Sequence, residues 1–203
     1  AKPPKNKFTI DEQAEFDATQ VHPEVVEAML PFLTTHCHNP SSGYRAGKIV
    51  KKAVEAAREE VAALIGAKAE EIVFTGCGTE SNNMALKSLA RVVGRKTSRV
   101  VTSAIEHSAV LRPLEAMEAV GFEVLRCGVD EEGRLRVDEF GELVDASRPG
   151  FASVMWANNE TGVTQPIAEV CAIAKEAGWG FHTDAIQAVG KIPVDVREVP
   201  VDF

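Results

Sequence analysis

Four short polar motifs, each following an apolar run, hold the residues of this sequence that could do chemistry. The first comprises residues 75–83, where two glycines and several hydroxyl residues join a predicted strand to a predicted helix. Gly78 lets the backbone approach a ligand closely, Thr79 adds a hydroxyl, and the helix start offers free N–H groups to a phosphate. The pattern is neither a Walker loop nor a dinucleotide fingerprint. A turn with Thr79 or Ser81 as the helix N-cap is the alternative interpretation.

The second motif is Ile105-Glu106-His107-Ser108, which follows a strand predicted to end near Ser103. In a parallel sheet, ligands bind at the carboxyl ends of the strands, so His107 has a position typical of a functional residue. Its imidazole can stack on a planar ring or transfer protons near neutral pH. A helix-capping or surface histidine is the alternative.

The third motif places two adjacent amides, Asn158 and Asn159, at the carboxyl end of another predicted strand. Together they offer directed hydrogen-bond donors and acceptors to a ligand. An Asx turn, in which the side chain bonds its own backbone, is the alternative.

The fourth motif, residues 181–187, contains Asp184 at the end of an apolar run. A carboxylate buried there must be paired, because burial of a lone charge is costly. The protonated ring nitrogen of a cofactor is one possible partner, and Gln187 could reach the same ring. Asp184 as the N-cap of a following helix is the alternative. Together the four motifs predict a pocket for a phosphorylated aromatic cofactor.

The elements that position these motifs alternate from about residue 71 onward, as short apolar runs and amphipathic stretches typical of βαβ units. We predict strands over residues 71–75, 99–103, 122–126, 152–157 and 180–184. We predict helices over residues 49–64, 81–93, 110–120, 137–144 and 167–177. The fold class is therefore α/β, with a mainly parallel sheet flanked by helices. Residues 1–45 are predicted to form an N-terminal arm and helix, and residues 46–203 an incomplete large domain.

Composition narrows the possible functions. The formal net charge of −8 argues against a nucleic-acid partner, which requires a basic face. The sequence has no apolar run of about 18 residues and no signal-peptide core, so we expect a cytoplasmic protein without a membrane partner. The spacing of the cysteines fits neither a disulfide framework nor a zinc site, and we predict reduced thiols and no metal. These residues are Cys37, Cys77, Cys127 and Cys171.

Taken in order, residues 74–83, 106–107, 154–162 and 181–191 resemble the successive signatures of the cysteine desulfurases, above all the nitrogen-fixation (NifS-like) type. The resemblance extends over about residues 16–203. It implies a homodimeric fold-type I pyridoxal 5'-phosphate enzyme of the class V aminotransferase group, with an aspartate-aminotransferase-like large domain. Its members remove sulfur from L-cysteine, giving L-alanine and an enzyme persulfide. The persulfide supplies an iron–sulfur scaffold or another sulfur acceptor protein.

The resemblance also implies roles for individual residues. Gly78 and Thr79 would hold the cofactor phosphate. His107 would stack on the pyridine ring and, as the catalytic residue of this segment, move protons.

The remaining contacts that the resemblance implies concern the ring substituents. Asp184 would pair with the ring nitrogen and strengthen the electron sink. Gln187 would hydrogen-bond the phenolic oxygen, and Asn159 would lie beside it, in contact with cofactor and substrate.

The sequence departs from the family pattern in three places. It stops at a strand-like Val-Asp-Phe segment, before the lysine that binds the cofactor, the persulfide-forming cysteine and the substrate-binding arginine, so we expect the natural chain to continue. Residues 16–20 look like a shortened form of the family's entry motif, and Tyr44 replaces a histidine. We expect the segment alone to be inactive. Selenocysteine lyase, cysteine sulfinate desulfinase and a truncated non-catalytic paralogue are the alternative functions.

Overall fold

The computed structural model describes residues 21–94 and 98–203, and residues 16–20 lie outside this part. The chain divides into two compact units, residues 1–56 and 57–203. In the first unit, helix α1 comprises Pro23–Thr34, with a proline in its first turn. Helix α2, Arg45–Ile65, begins in the first unit and ends in the second. The domain boundary expected at residue 45 stays a prediction.

The second unit alternates helices and strands, as the sequence pattern predicts. After a short 3₁₀ turn at Ala69–Glu71, its helices are α3 (Gly78–Val93), α4 (Ser108–Glu118), α5 (Val137–Leu143) and α6 (Ile167–Glu176). Its strands are β1 (Arg99–Ser103), β2 (Glu123–Cys127), β3 (Gly150–Ser153) and β4 (Gly180–His182). Among the helices of the described residues, none has both the length and the apolar character that a membrane crossing needs.

The four strands form one parallel sheet in the order β2-β1-β3-β4, which confirms the predicted fold class. Arg99 is level with Glu123 of β2 on one side and with Gly150 of β3 on the other. Because all four strands are parallel, their carboxyl ends lie at the same edge of the sheet. The polar motifs that follow β1, β3 and β4 therefore meet there.

Side chains alternate between the two faces of the sheet, and helices cover both faces. Val100 and Phe151 pack with α3 and α4 on one face, whereas Val101 and Ala152 pack with α5 and α6 on the other. All four side chains are fully buried. Burial on both faces explains why β1 and β3 have apolar residues at consecutive positions, Val100-Val101 and Phe151-Ala152.

The strand predicted over residues 71–75 is wrong. Residues 72–75 have no ladder partner in the described part of the chain, and Val73 and Phe74 are 64% and 48% exposed. Arg58 contacts this segment, donating to the Ile72 carbonyl and lying 4.9 Å from the centre of the Phe74 ring. An apolar run becomes a strand only when a neighbouring strand supplies its hydrogen bonds.

The strand predicted over residues 152–157 begins two residues earlier and ends at Ser153. Beyond that point, the backbone N–H groups of residues 154–156 bond to the Glu106 side chain and to the carbonyls of His182 and Asp184, at and just after the end of β4. At the end of the chain, Asp202 N donates to Phe181 O over 2.8 Å, and Thr183 N donates to Phe203 O over 3.0 Å. Residues 201–203 thus lie along β4 without forming a strand of the described sheet.

Candidate functional site

The start of α3 presents unsatisfied backbone donors. Cys77 is the N-cap, with φ −170° and ψ 168°, and its side chain makes no capping bond. The first intrahelical bond runs from Ser81 N to Cys77 O (3.1 Å), so the N–H groups of Gly78, Thr79 and Glu80 have no acceptor within the helix. The interpretation of Thr79 or Ser81 as the N-cap is wrong, because the extended backbone ends at Cys77 and both residues lie inside α3.

Gly78 brings α3 against the segment that follows β4. A Cβ atom added at Gly78 would lie 2.0 Å from Cδ1 of Ile186, closer than any real contact allows. The glycine is therefore required by a close approach of two elements. This approach joins the first and the fourth polar motifs in one place.

The Asp184 carboxylate lies at this junction and is 6% exposed. Its Oδ2 accepts a hydrogen bond from Asn82 Nδ2 over 2.7 Å, and its Oδ1 accepts one from Ile186 N over 3.1 Å. The interpretation of Asp184 as a helix N-cap is wrong, since the residues after it form turns. The carboxylate is held by a donor from α3 and by the amide two residues on.

Asn82 is a site residue that the sequence reasoning did not single out. It lies four residues after Gly78 in α3, one turn along the helix, and is 4% exposed. That spacing places both residues on the same side of α3, and a polar residue there needs a buried partner. The spacing was the available signal, but the partner could not be read from it.

Glu106 is the second residue that the sequence reasoning left without a role. Its side chain is buried at the end of β1, and Oε1 accepts hydrogen bonds from Ser103 Oγ (2.5 Å) and Met155 N (2.8 Å). Oε2 is buried and has no hydrogen-bond partner among the residues that the structure describes. Burial, together with the nearby charge of Asp184, raises the pKa of Glu106 to about 8. The side chain is therefore largely protonated at neutral pH.

His107 is the N-cap of α4, and its Nδ1 accepts a hydrogen bond from Ala109 N over 3.1 Å. The alternative interpretation of His107 as a helix cap is therefore confirmed. The capping bond orients the imidazole ring and uses Nδ1, so that Nε2 takes no part in it. The imidazole is exposed. Thr79 and the first residues of α4, Ser108 and Ala109, line one groove of about 470 Å³. The starts of α3 and α4 thus face the same groove.

The two adjacent amides have different environments. Asn158 forms an Asx turn: its Oδ1 accepts from Glu160 N (3.0 Å) and Thr161 N (2.9 Å), and its Nδ2 donates to Ile105 O (3.2 Å). Asn159 is half-buried, and its side chain has no hydrogen bond to the residues that the structure describes. The Asx-turn alternative is therefore confirmed for Asn158, and Asn159 carries the available amide.

Gln187 lies in the turn after Asp184 and is half-buried. Its Oε1 accepts a hydrogen bond from Lys191 Nζ, so its amide nitrogen remains as the group that could donate to a ligand. Within the described part of the chain, no hydrogen bond joins Gln187 or Asn159 to the other predicted site residues. Their roles stay predictions.

A buried histidine lies beneath the site in β4. His182 Nδ1 is 2.8 Å from Ser153 Oγ, and the two residues are level in the sheet. Burial lowers the pKa of His182 to about 4, although the charge of Asp184 opposes this effect. The ring is therefore neutral at pH 7 and supports the strand ends as an uncharged hydrogen-bonding group.

Comparison with known proteins points in the same direction as the geometry. The family model described as aminotransferase class-V matches residues 14–203. Cysteine desulfurase IscS of Dictyoglomus turgidum is 46% identical over 185 residues, which cover 91% of this chain and 47% of the relative. Cysteine desulfurase IscS of Anaeromyxobacter sp. (strain K) is 50% identical over 188 residues, covering 91% and 46%. The chain spans about half the length of the curated relatives it matches.

Solved structures share the fold. A structure named NifS-like protein superposes with a TM-score of 0.86 at 36% identity, covering 91% of this chain and 51% of that one. A structure of SspA in complex with cysteine has a TM-score of 0.86 at 34% identity, covering 91% and 53%. Because one family model accounts for residues 14–203 and these structures share the fold over nine-tenths of the chain, the chain belongs to the aminotransferase class-V family.

Proposed function

We propose that this chain forms part of the cofactor site of a pyridoxal 5'-phosphate-dependent cysteine desulfurase. The observation that carries the proposal is the buried Asp184 carboxylate, held by Asn82 from α3 and lying beside the open N-terminus of the same helix. A carboxylate and an anion-binding helix start, side by side, suit a ligand with a cationic ring nitrogen and a phosphate. The curated relatives named cysteine desulfurase support the assignment.

The residues present fit this cofactor. Three N–H groups without intrahelical acceptors and the exposed Thr79 hydroxyl supply hydrogen-bond donors suited to a phosphate. Asp184 supplies the acceptor that a protonated ring nitrogen needs. His107 is exposed, and its ring is oriented by the capping bond to Ala109. The donors and the acceptor therefore match the two charged ends of the cofactor.

In this proposal each residue has a defined task. Gly78 and Thr79 bind the phosphate, and Asp184 keeps the ring nitrogen protonated. His107 stacks on the ring and moves a proton at Nε2, the nitrogen not used by the cap. When bound, the cofactor supplies an electron sink that stabilises negative charge on the substrate carbon.

Two further residues complete the proposed cofactor contacts. Gln187 donates from its amide nitrogen to the phenolic oxygen, because its Oε1 is occupied by Lys191. Asn159 contacts cofactor and substrate through its available amide. Both assignments follow the family resemblance, and the hydrogen-bonding capacity left free on each side chain supports them.

For the whole protein, we propose L-cysteine as the substrate. One structural neighbour was solved in complex with cysteine, which supports this choice. A cysteine thiolate of the whole protein attacks the substrate sulfur, the Cβ–S bond breaks as an S–S bond forms, and protons return to carbon to give L-alanine. The resulting persulfide supplies an acceptor protein of iron–sulfur cluster assembly. The assembly we propose is a cytoplasmic homodimer.

A binding experiment tests the cofactor site directly. Pyridoxal 5'-phosphate is titrated into the full chain, and binding is followed by cofactor absorbance and tryptophan fluorescence. Loss of a hydrogen bond to a charged group costs roughly 1.5–3 kcal/mol, so Asp184→Asn should weaken binding about ten- to a hundredfold. The control Asp138→Asn changes an exposed carboxylate of α5 and should leave the affinity unchanged. Equal affinities for the two variants, or no binding by the wild type, would overturn the proposal.

A further inference from the structure

The side chain of Glu106 supplies a hydrogen-bond acceptor that a neighbouring strand would otherwise provide. Beyond Ser153, the backbone amides that continue β3 bond alternately to its two sides: Val154 N donates to His182 O (3.1 Å) on the β4 side. Trp156 N also donates to that side, to Asp184 O over 2.9 Å. Between them, Met155 N points the other way, where β1 has already ended, and donates to Glu106 Oε1 over 2.8 Å. A carboxyl oxygen thus acts as the missing strand carbonyl.

The two oxygens of this carboxyl group have opposite environments. Oε1 accepts two hydrogen bonds, from Met155 N and from Ser103 Oγ. Oε2 is buried and has no hydrogen-bond partner in residues 21–94 and 98–203, and the Glu106 residue is 6% exposed. An ionised carboxylate would leave part of its charge unsolvated on Oε2, whereas a neutral acid carries a proton there. The geometry therefore favours the protonated form, with the proton on Oε2.

The charge that acts on Glu106 comes from the end of β4. Asp184, after β4, is the charge that acts on it, and the neutral ring of His182 lies near Asp184 within β4. The group that reaches Glu106 from β1, the Ser103 hydroxyl, is uncharged. His107, at the start of α4, has its Nδ1 occupied by the capping bond. The principal electrostatic coupling of Glu106 is therefore repulsion from Asp184.

We propose that Glu106 is a positioning residue of the cofactor site: it carries a proton on Oε2, clamps the end of β1 to the continuation of β3, and leaves the negative charge to Asp184, which faces a cationic ring nitrogen. This proposal rests on the proposed function. The clamp reaches Asp184 through adjacent residues, because Met155 bonds Glu106 and Trp156 bonds Asp184. The coupling is reciprocal, so a change of charge at Asp184 changes the pH at which Glu106 ionises.

Infrared spectroscopy of the full chain tests this coupling without an activity measurement. The carbonyl stretch of a protonated carboxylic acid should be present at pH 7, disappear at alkaline pH, and be missing from Glu106→Gln. In Asp184→Asn the repulsion is removed, so the midpoint of its disappearance should fall by on the order of one pH unit. The control Asp138→Asn should leave the midpoint unchanged. Persistence of the whole band in Glu106→Gln, or equal midpoints in wild type and Asp184→Asn, would overturn the proposal.

A second infrared measurement, with the cofactor bound, distinguishes failure of this proposal from failure of the proposed function. Saturation with pyridoxal 5'-phosphate should lower the Glu106 midpoint in the wild type, because a cationic ring nitrogen neutralises Asp184. An unchanged midpoint in a chain that demonstrably binds the cofactor would refute the coupling but not the cofactor site. A chain that does not bind the cofactor, yet shows the shift in Asp184→Asn, would refute the proposed function and keep the Glu106–Asp184 coupling.

Discussion

Replacement of Asn82 by alanine removes the hydrogen bond that α3 gives to the Asp184 carboxylate. The two side chains are 102 residues apart in the chain, and their 2.7 Å contact is buried. After the change, the amide of Ile186 is the remaining donor that the structure gives this carboxylate. The variant therefore leaves a buried charge with half of its hydrogen bonds, and we expect lower stability.

The size of the effect follows from the kind of bond. A hydrogen bond to a charged group contributes about 1.5–3 kcal/mol, and its loss inside the protein leaves Asp184 poorly solvated. We expect Asn82→Ala to lower the free energy of unfolding by about 2–3 kcal/mol. For a chain of this length, that corresponds to a drop in melting temperature of roughly 5–10 °C.

The matched control is the neighbouring residue. Asn83 is also in α3, but it is only half-buried and its Nδ2 donates to Thr79 O within the same helix over 3.0 Å. Asn83→Ala brings the same gain in helix propensity as Asn82→Ala, so the difference between the variants isolates the buried bond. Urea unfolding at pH 7, followed by tryptophan fluorescence from Trp156 and the buried Trp179, measures both stabilities. Unfolding free energies within about 0.5 kcal/mol of each other would show that the bond to Asp184 is not a main support of the site.

Two further predictions concern packing and pH. A Cβ atom at Gly150 would lie 2.5 Å from the ring of Trp179, so Gly150→Ala should lower the free energy of unfolding by about 1–3 kcal/mol. The control Gly141→Ala has open space around the new Cβ atom and should not destabilise the protein. Similar urea midpoints for the two variants would contradict this prediction. The pKa of about 4 at His182 lies below its value in the unfolded chain, so the contribution of His182 to the free energy of unfolding is complete above about pH 6.5. That contribution, about 3 kcal/mol, is lost as the pH falls towards 4. His182→Asn should flatten this acid loss, and an unchanged slope of unfolding free energy against pH would refute the assignment.

The sequence predicts the elements well where one local pattern suffices. The strand predicted over residues 99–103 has the bounds of β1, and the helix predicted over 137–144 ends one residue earlier in α5. Continuous apolar runs identify strands buried on both faces, and helical spacing identifies their flanking helices. The meeting of the motifs after β1, β3 and β4 at one edge also follows from the sequence, because strands joined by helices are parallel.

Local patterns do not show which partner an extended segment has. Residues 72–75 and residues 154–157 are both largely apolar, but neither segment belongs to a strand of the described sheet. The first has no ladder partner in the part of the chain that the structure describes. The second bonds to the Glu106 side chain and to the backbone after β4. Strand pairing depends on distant residues, which periodicity does not report.

The sequence by itself determined the types of group at the candidate site: a helix start rich in small residues, a histidine, two amides and a carboxylate, each after a predicted strand. The tertiary structure decided which of them are available. It assigned Asn158 to a turn and left Asn159 open, gave Asp184 its donor from Asn82, and buried Glu106 49 residues from its amide partner. Burial and hydrogen bonding between distant residues set the charge of a polar group, and these exist only once the chain has folded.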